Sequence, residues 1–193
     1  MDQLAAVQRP MGIFEQYMAP STQALVLEEK VFSLSQDSFD VTNISGEPVL
    51  KIEGRHMTIS GRKTVRDMAG QHLFDIVKEK MHLHATYVAE DPMGKKLMEV
   101  KSSFQVVGSK ATVTFMSKGD HAETLVMKGN WRDTSADIVC ENTGAVVARI
   151  DRKLLNKREL MGSQQTYALI VAPGVDMALM VAACVALDEK NND

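Results

Sequence analysis

The stretch MALMVAACVAL occupies residues 177–187 and contains no charged or strongly polar side chain. It is too short to span a bilayer, which needs about 20 residues. Pro173-Gly174 precedes it, and Asp176 is of a residue type that caps helix N-termini. A helix that is apolar on every side must be surrounded by protein. We therefore expect a buried C-terminal helix at about residues 176–188.

The surroundings of such a helix restrict the fold. One flat sheet covers only one face of a helix, whereas a closed antiparallel barrel covers all faces and leaves no sheet edge. Eight strands enclose only their own side chains, and a larger number leaves a wider lumen. Small residues allow the helix to approach the wall closely, namely Ala178, Ala182, Ala183 and Ala186. The predicted fold is mainly β, a closed barrel of about twelve strands that encloses the C-terminal helix.

A glycine repeat supports this strand count. Gly46, Gly70, Gly94, Gly119 and Gly144 follow one another at intervals of 24 or 25 residues. In four copies, apolar residues stand four and six positions after the glycine: Leu50 and Ile52, Phe74 and Ile76, Met98 and Val100, and Ala148 and Ile150. The copy at Gly119 has two extra residues, which we assign to the loop, and places Leu125 and Met127 there. This period of two after a turn glycine predicts hairpins with one buried face.

Composition indicates one domain. The chain has 193 residues, and residues 1–23 contain two prolines and no periodicity. We interpret 1–23 as an extended N-terminal arm and 24–193 as a single barrel domain. The formal net charge of -3 argues against nucleic-acid binding. With two cysteines and no charged-then-apolar leader, we expect a cytoplasmic protein without a transmembrane segment.

No recognisable constellation for catalysis or cofactor binding appears in the sequence. His82 and His84 share one strand face, a spacing that suits metal binding, but no further ligand stands at motif spacing. Cys140 and Cys184 have no histidine-partnered motif, and small apolar filler is the expected role. Nucleophile-elbow, phosphate-loop and dinucleotide signatures are absent. We expect no cofactor, no metal and no enzymatic activity.

The best remaining candidate for a ligand is the basic connection at residues 152–165. It contains Arg152, Lys153, Lys157 and Arg158, four positive charges within seven residues of an acidic chain. Such a cluster can hold a phosphate or an anionic membrane surface. The alternative is a solvated loop beside Glu159. Trp131 in GNWRD is expected to fill a seam of the barrel, with a ligand-facing role as the alternative.

Several motifs together resemble the LURP-one-related proteins, which share their plan with the Tubby C-terminal domain and the phospholipid scramblases. They are VTNISGEPVLKIEG (41–54), RKTVRDMAGQHLFDIVKEKM (62–81), MKGNW (127–131), VVARIDRK (146–153) and YALIVAPGVDMALMVAACVALDE (167–189). The similarity runs from about Ala24 to Glu189. It implies the Tubby-like barrel with a central helix. It implies no chemistry, because that family has no established enzymatic reaction.

The resemblance also suggests a ligand class. Tubby domains bind phosphoinositide head groups through basic side chains on the barrel wall, and Lys128 and Arg132 are the positions that carry over. The expected function is therefore a non-enzymatic binding or scaffold domain that recognises anionic phospholipid head groups at a membrane surface, with a protein partner as another possibility. A scramblase-like membrane-active protein is an alternative, although the scramblase cysteine cluster is missing. An enzyme with an unrecognised site is the third reading.

Overall fold

A computed structural model describes residues 3–30, 38–54, 61–79, 86–104, 109–130, 135–152 and 166–192. A 3-10 turn at Glu15–Tyr17 lies in the N-terminal arm. The strands are β1 Gln23–Lys30, β2 Ser38–Asn43, β3 Pro48–Gly54, β4 Lys63–Arg66, β5 His72–Glu79, β6 Thr86–Glu90, β7 Lys96–Phe104, β8 Ser109–Ser117, β9 His121–Asn130, β10 Ser135–Cys140, β11 Val146–Asp151 and β12 Thr166–Val171. One α-helix, α1, follows at Met177–Asn192.

The described strands form one closed antiparallel barrel. Each strand pairs with the next strand along the chain, and β12 returns to pair with β1. Register partners such as Leu25 and Leu169 close the ring between these two strands. The predicted mainly-β closed barrel of about twelve strands is therefore confirmed.

The glycine repeat describes the inner wall correctly. All of the apolar residues predicted to face inward are buried: Leu50, Ile52, Phe74, Ile76, Met98, Val100, Leu125, Met127, Ala148 and Ile150. The two extra residues after Gly119 do not lengthen the loop, because β9 begins at His121 and is ten residues long. They extend the strand instead, and the expectation of a longer loop was wrong.

The repeated glycines all lie in hairpin turns, as predicted, and all five have positive φ. Gly46, Gly70, Gly94, Gly119 and Gly144 have φ of 82°, 84°, 84°, 82° and 72°. Glycine reaches this region at no steric cost, whereas other residues are strained there. In three of the turns an Asx residue three positions before the glycine caps the loop, and its Oδ1 accepts a backbone N–H from the residue after the glycine; these are Asn43, Asp67 and Asp91.

Helix α1 runs through the lumen. Ala178 to Leu187 are at most 2% exposed. The helix packs against β6 and β7 and also against β12, which lie on opposite sides of the ring. It extends to Asn192 rather than ending at about 188. The sequence explains the difference, because residues 188–192 are polar and continue the helix beyond its apolar part.

The barrel has two different ends. The turn end carries the five glycine hairpins and the start of α1. At the opposite end, the loop end, the described strands stop at Lys30, Gly54, Glu79, Phe104, Asn130 and Asp151. Helix α1 therefore enters at the turn end and leaves at the loop end.

The N-terminal arm closes the turn end. Met11 forms a bridge to Val175 and Met18 a bridge to Asp176, so that the arm passes across the start of α1. The Phe14 ring stacks on Phe74, with centroids 5.5 Å apart. The N-terminal arm thus contributes Met11 and Ala19 to the buried core.

Asp176 holds the helix and the arm together. Its Oδ1 accepts the backbone N–H groups of Ala178 and Leu179, at 2.9 and 3.3 Å, and so caps the helix as expected. Its Oδ2 accepts those of Ile13 and Phe14, at 3.0 and 2.8 Å. Burial raises the pKa of this carboxyl above its ordinary value, while the four N–H donors counteract the rise.

Candidate functional site

The strand register brings the two predicted basic stretches to neighbouring positions at the loop end. Asn130 at the end of β9 pairs with Ser135 of β10, which pairs with Asp151 at the end of β11. Adjacent strands lie about 4.8 Å apart, so Asn130 and Asp151 are separated by about 10 Å. The connection after β9 contains Trp131 and Arg132, and the connection after β11 contains Arg152, Lys153, Lys157 and Arg158. Both therefore start from the same sector of the rim.

The structure describes two of the six candidate cations. Lys128 is exposed on the outer wall of β9. Arg152 follows β11 and is mostly buried, with 18% of its side chain exposed. Other residues singled out from the sequence lie outside the described residues: His82, His84, Trp131, Arg132, Lys153, Lys157 and Arg158.

Arg152 lies in the mouth of the barrel, by which we mean the opening at the loop end, rather than in a solvated loop. Its Nη2 lies 3.3 Å from Oδ1 of Asp188 on α1. Its guanidinium lies over the Tyr167 ring, 4.9 Å from the centroid. Burial, together with the Asp188 carboxylate, raises the pKa of Tyr167 well above its ordinary value. Arg152 thus ties the start of the basic connection to the end of the helix.

The mouth also contains groups that sequence analysis did not single out. Lys63 faces inward and is 2% exposed, and its Nζ lies 5.7 Å from the centroid of the Phe39 ring. Lys63 stands two residues before the inward-facing Val65 on β4. The alternation of this strand could therefore have predicted that Lys63 also faces inward. Cys184 is buried beside this region, and burial raises the pKa of its thiol well above the ordinary value. A buried thiol of this kind is a poor nucleophile.

The wall next to Lys128 carries a cross-strand ion pair. Lys128 pairs in register with Asp137, which pairs with Arg149. Nε of Arg149 lies 2.6 Å from Oδ1 of Asp137, and Nη2 lies 3.2 Å from Oδ2. This fork geometry engages both carboxylate oxygens. The row on the outer wall therefore consists of a cation, an anion and a second cation.

The family model described as LURP-one-related matches residues 23–188, which is the barrel and its helix. The chain belongs to the LURP-one-related family. The predicted resemblance is confirmed.

Individual relatives come from Arabidopsis thaliana. The protein LURP-one-related 10 is 24% identical over 185 residues, covering 92% of this chain and 94% of the relative. LURP-one-related 15 is 21% identical over 183 residues, covering 92% and 84%. The X-ray structure of a protein from Arabidopsis thaliana has a TM-score of 0.68 at 17% identity, covering 94% of this chain and 99% of that one. At this identity the likeness shows the fold alone.

Chemistry that is visible elsewhere on this LURP-one-related barrel is limited. In the described ranges, no group of three His, Cys, Asp or Glu side chains is placed to hold a metal ion. The same part of the chain contains no helix with both the length and the apolar character needed to cross a bilayer.

A polar cluster on the outer wall of this LURP-one-related barrel surrounds Asp75. Nη1 of Arg62 lies 2.5 Å from Oδ2 of Asp75, and Oγ1 of Thr64 donates to Oδ1 at 2.7 Å. Nε2 of His72 lies 3.1 Å from the same Oδ1. Burial opposes ionisation of Asp75, but the bonds from Thr64 and Arg62 outweigh it and lower the pKa. Thr64 on β4 and His72 on β5 both contact Asp75, so the cluster links these two strands.

We expect Asp75→Asn to destabilise the protein by about 2–3 kcal/mol at neutral pH, because it removes the charge that Arg62 and Thr64 stabilise. A carboxyl with a lowered folded pKa contributes stability above its unfolded pKa, and this contribution is lost as the pH falls through the folded pKa. The difference between wild type and variant should therefore be full at pH 7, begin to decrease below about pH 4, near the unfolded pKa, and decrease further as the pH falls through the lower folded pKa.

Urea unfolding between pH 3 and pH 7 measures this difference. Asp137→Asn is the matched control, because Asp137 also pairs with an arginine across two strands but is 33% exposed. Its effect should stay below about 1 kcal/mol. A difference for Asp75→Asn that stays constant over this pH range would contradict the assigned role of the carboxylate.

Proposed function

We propose that this LURP-one-related domain is a non-enzymatic binding domain whose loop end recognises anionic phospholipid head groups at a membrane surface. The observation that carries the proposal is the register of β9, β10 and β11, which starts the two basic stretches from one sector of the rim. Basic residues that are grouped near a surface attract anionic lipids by about 1 kcal/mol each.

The filled lumen supports binding rather than catalysis as the role. The helix residues inside the barrel are at most 2% exposed. Small-molecule sites are usually concave cavities that enclose most of their ligand. A head group on the rim needs no such cavity, because its phosphate can be held by arginine and lysine side chains at the surface.

The contacts of Arg152 divide the six candidate residues into two classes. Arg152 anchors the basic connection through Asp188 and Tyr167. Lys153, Lys157 and Arg158 follow it in the sequence and supply the charge toward the lipid in this proposal, together with Lys128 on β9 and Arg132, which follows β9 in the sequence. Reversal of Arg152 would place a second carboxylate beside Asp188 and destabilise the mouth, so the test leaves Arg152 unchanged.

We expect the triple variant Lys153→Glu, Lys157→Glu and Arg158→Glu to bind vesicles containing phosphatidylserine or a phosphoinositide at least about tenfold more weakly than wild type, because three attractive charges become repulsive. Co-sedimentation at low salt measures the binding in excess of that to neutral phosphatidylcholine vesicles. This excess should decrease toward physiological salt, where exposed charges are screened over about 8 Å.

A second triple variant provides the control. Lys51→Glu, Lys101→Glu and Lys118→Glu change the net charge equally, and these side chains are 56%, 57% and 55% exposed on other parts of the surface. This variant should keep most of the excess binding. Equal binding of wild type to neutral and anionic vesicles, or equal loss in both triple variants, would refute the loop end as an anionic-lipid site.

A further inference from the structure

Strongly exposed large apolar side chains are concentrated at the turn end. Across the described part of the chain they are Ile44, Met68, Met93 and Met116, which are 47%, 53%, 90% and 51% exposed. Ile44, Met68 and Met93 lie at the tips of the β2–β3, β4–β5 and β6–β7 hairpins. Met116 lies near the same end of β8, the strand next to β7. We call these four residues the apolar half-rim.

The four residues of the half-rim lie in one sector of the ring. Strands β2 to β8 are consecutive neighbours in the ring. The two remaining hairpin tips are polar, with Lys118 and Asp120 between β8 and β9, and Glu141, Asn142 and Thr143 between β10 and β11. Turn geometry is satisfied by polar residues there, so it does not require the apolar residues of the other three tips.

The tips of the half-rim satisfy much of their own backbone hydrogen bonding. Oδ1 of Asn43 accepts the N–H groups of Ser45 and Glu47, at 2.9 and 3.0 Å. Oδ1 of Asp91 accepts those of Met93 and Lys95, both at 2.9 Å. A segment that leaves water for lipid must pair its backbone polar groups internally. These capped tips meet that requirement more fully than an irregular loop would.

The shape of the half-rim indicates which partner covers it. Successive hairpins are two strands apart, so their tips are about 10 Å from one another, and each projects a single apolar side chain. A protein partner would need a separate pocket for each tip. A fluid lipid interface accommodates separated tips without matching pockets, and apolar side chains enter it to a depth of about 5–10 Å. Exposed Lys95, two residues after Met93, would lie at the level of the phosphates.

We propose that the apolar half-rim is a membrane-docking surface, in which Ile44, Met68, Met93 and Met116 insert into the interface of a lipid bilayer. This surface is distinct from the proposed anionic-lipid site, because the two lie at opposite ends of the barrel. Its binding comes from apolar burial and is therefore insensitive to salt and to lipid charge. A protein in which both surfaces function would join two vesicles and increase light scattering.

A dye on the half-rim tests the insertion directly. The native cysteines Cys140 and Cys184 are buried, so a cysteine introduced by Met93→Cys can be labelled selectively with an environment-sensitive fluorophore. On addition of neutral phosphatidylcholine vesicles, we expect its emission to rise at least about twofold and to shift to shorter wavelength, and to do so equally at about 0.5 M salt. The same dye attached after Asn142→Cys, at a polar tip of the same end, should not respond.

Serine substitutions measure how far the neighbouring tips contribute. In the labelled protein, Ile44→Ser, Met68→Ser and Met116→Ser together should lower the partition coefficient at least about tenfold, because each removes apolar area from the interface. The melting temperature should change little, since these side chains are exposed. No response at position 93, or an equal response at positions 93 and 142, would overturn the proposal. Absence of any response would leave the half-rim as a contact for a protein partner.

Discussion

Ala182→Asp is expected to prevent folding or to reduce the free energy of unfolding by at least about 4 kcal/mol, because an unpaired charge in an apolar interior is among the most costly substitutions. Ala182 lies in the middle of α1, is fully buried, and is surrounded by other buried helix residues. The free energy of unfolding of a domain is about 5–15 kcal/mol, so such a loss is comparable with the total stability.

Thermal and urea unfolding followed by circular dichroism measure this effect. Asn142→Asp is the matched control, since it adds the same charge at an exposed turn. The control should remain within about 0.5 kcal/mol of wild type. The variant should also be less unstable at acidic pH, where the new carboxyl can be buried in its neutral form. Wild-type melting of Ala182→Asp would be incompatible with a helix inside the barrel.

Asp176→Ala is expected to destabilise the protein by about 3–5 kcal/mol. The substitution removes a helix cap, worth about 0.5–2 kcal/mol, and leaves the N–H groups of Ile13 and Phe14 without this acceptor. A buried donor that loses its partner costs about 1–3 kcal/mol. Removal of the desolvated carboxylate offsets part of this loss.

The two functions of Asp176 can be separated by experiment. Asp176→Asn keeps one acceptor oxygen and introduces an amide that faces N–H donors. It should therefore destabilise the protein, but by less than Asp176→Ala does. Hydrogen exchange at Ile13 and Phe14 reports the arm, and exchange at Ala178 and Leu179 reports the cap. Faster exchange at all four amides in Asp176→Ala is expected, and protection of the arm equal to wild type would show that the arm is held by its other contacts alone.

The approach of the arm to Asp176 explains a residue that sequence analysis passed over. A Cβ at Gly12 would lie 2.1 Å from Cβ of Asp176, so only glycine fits where the two segments cross. The Gly12 amide donates to Oγ of Ser117, and the Gly12 carbonyl accepts the N–H of Lys118. No local pattern around Gly12 indicates this constraint, because it comes from Asp176, which lies 164 positions later in the chain (176 minus 12).

The barrel itself was predictable because its determinants are local and repeated. Alternation of apolar residues after Gly46, Gly70 and Gly94 identifies strands one by one, and the uniform apolarity of residues 177–187 requires a surrounding wall. The candidate site was less predictable. Arg152 was predicted to be a ligand-binding cation of the basic connection, with a solvated loop as the alternative, and no local pattern indicated its contact with Asp188, 36 residues away on the helix.

The sequence alone determined a barrel of about twelve strands, the inward apolar residues of the glycine repeat, the turns and the buried helix, since period, turn chemistry and composition are properties of neighbouring residues. The family was indicated by the resemblance of several motifs. Only the tertiary structure decided that the arm closes the barrel, that Asp176 joins arm and helix, and that the exposed apolar tips share one end. The physical reason is that these features depend on groups far apart in the chain. The amides of Ile13 and Phe14 reach Asp176 across 163 and 162 positions, and closure of the ring alone brings them together.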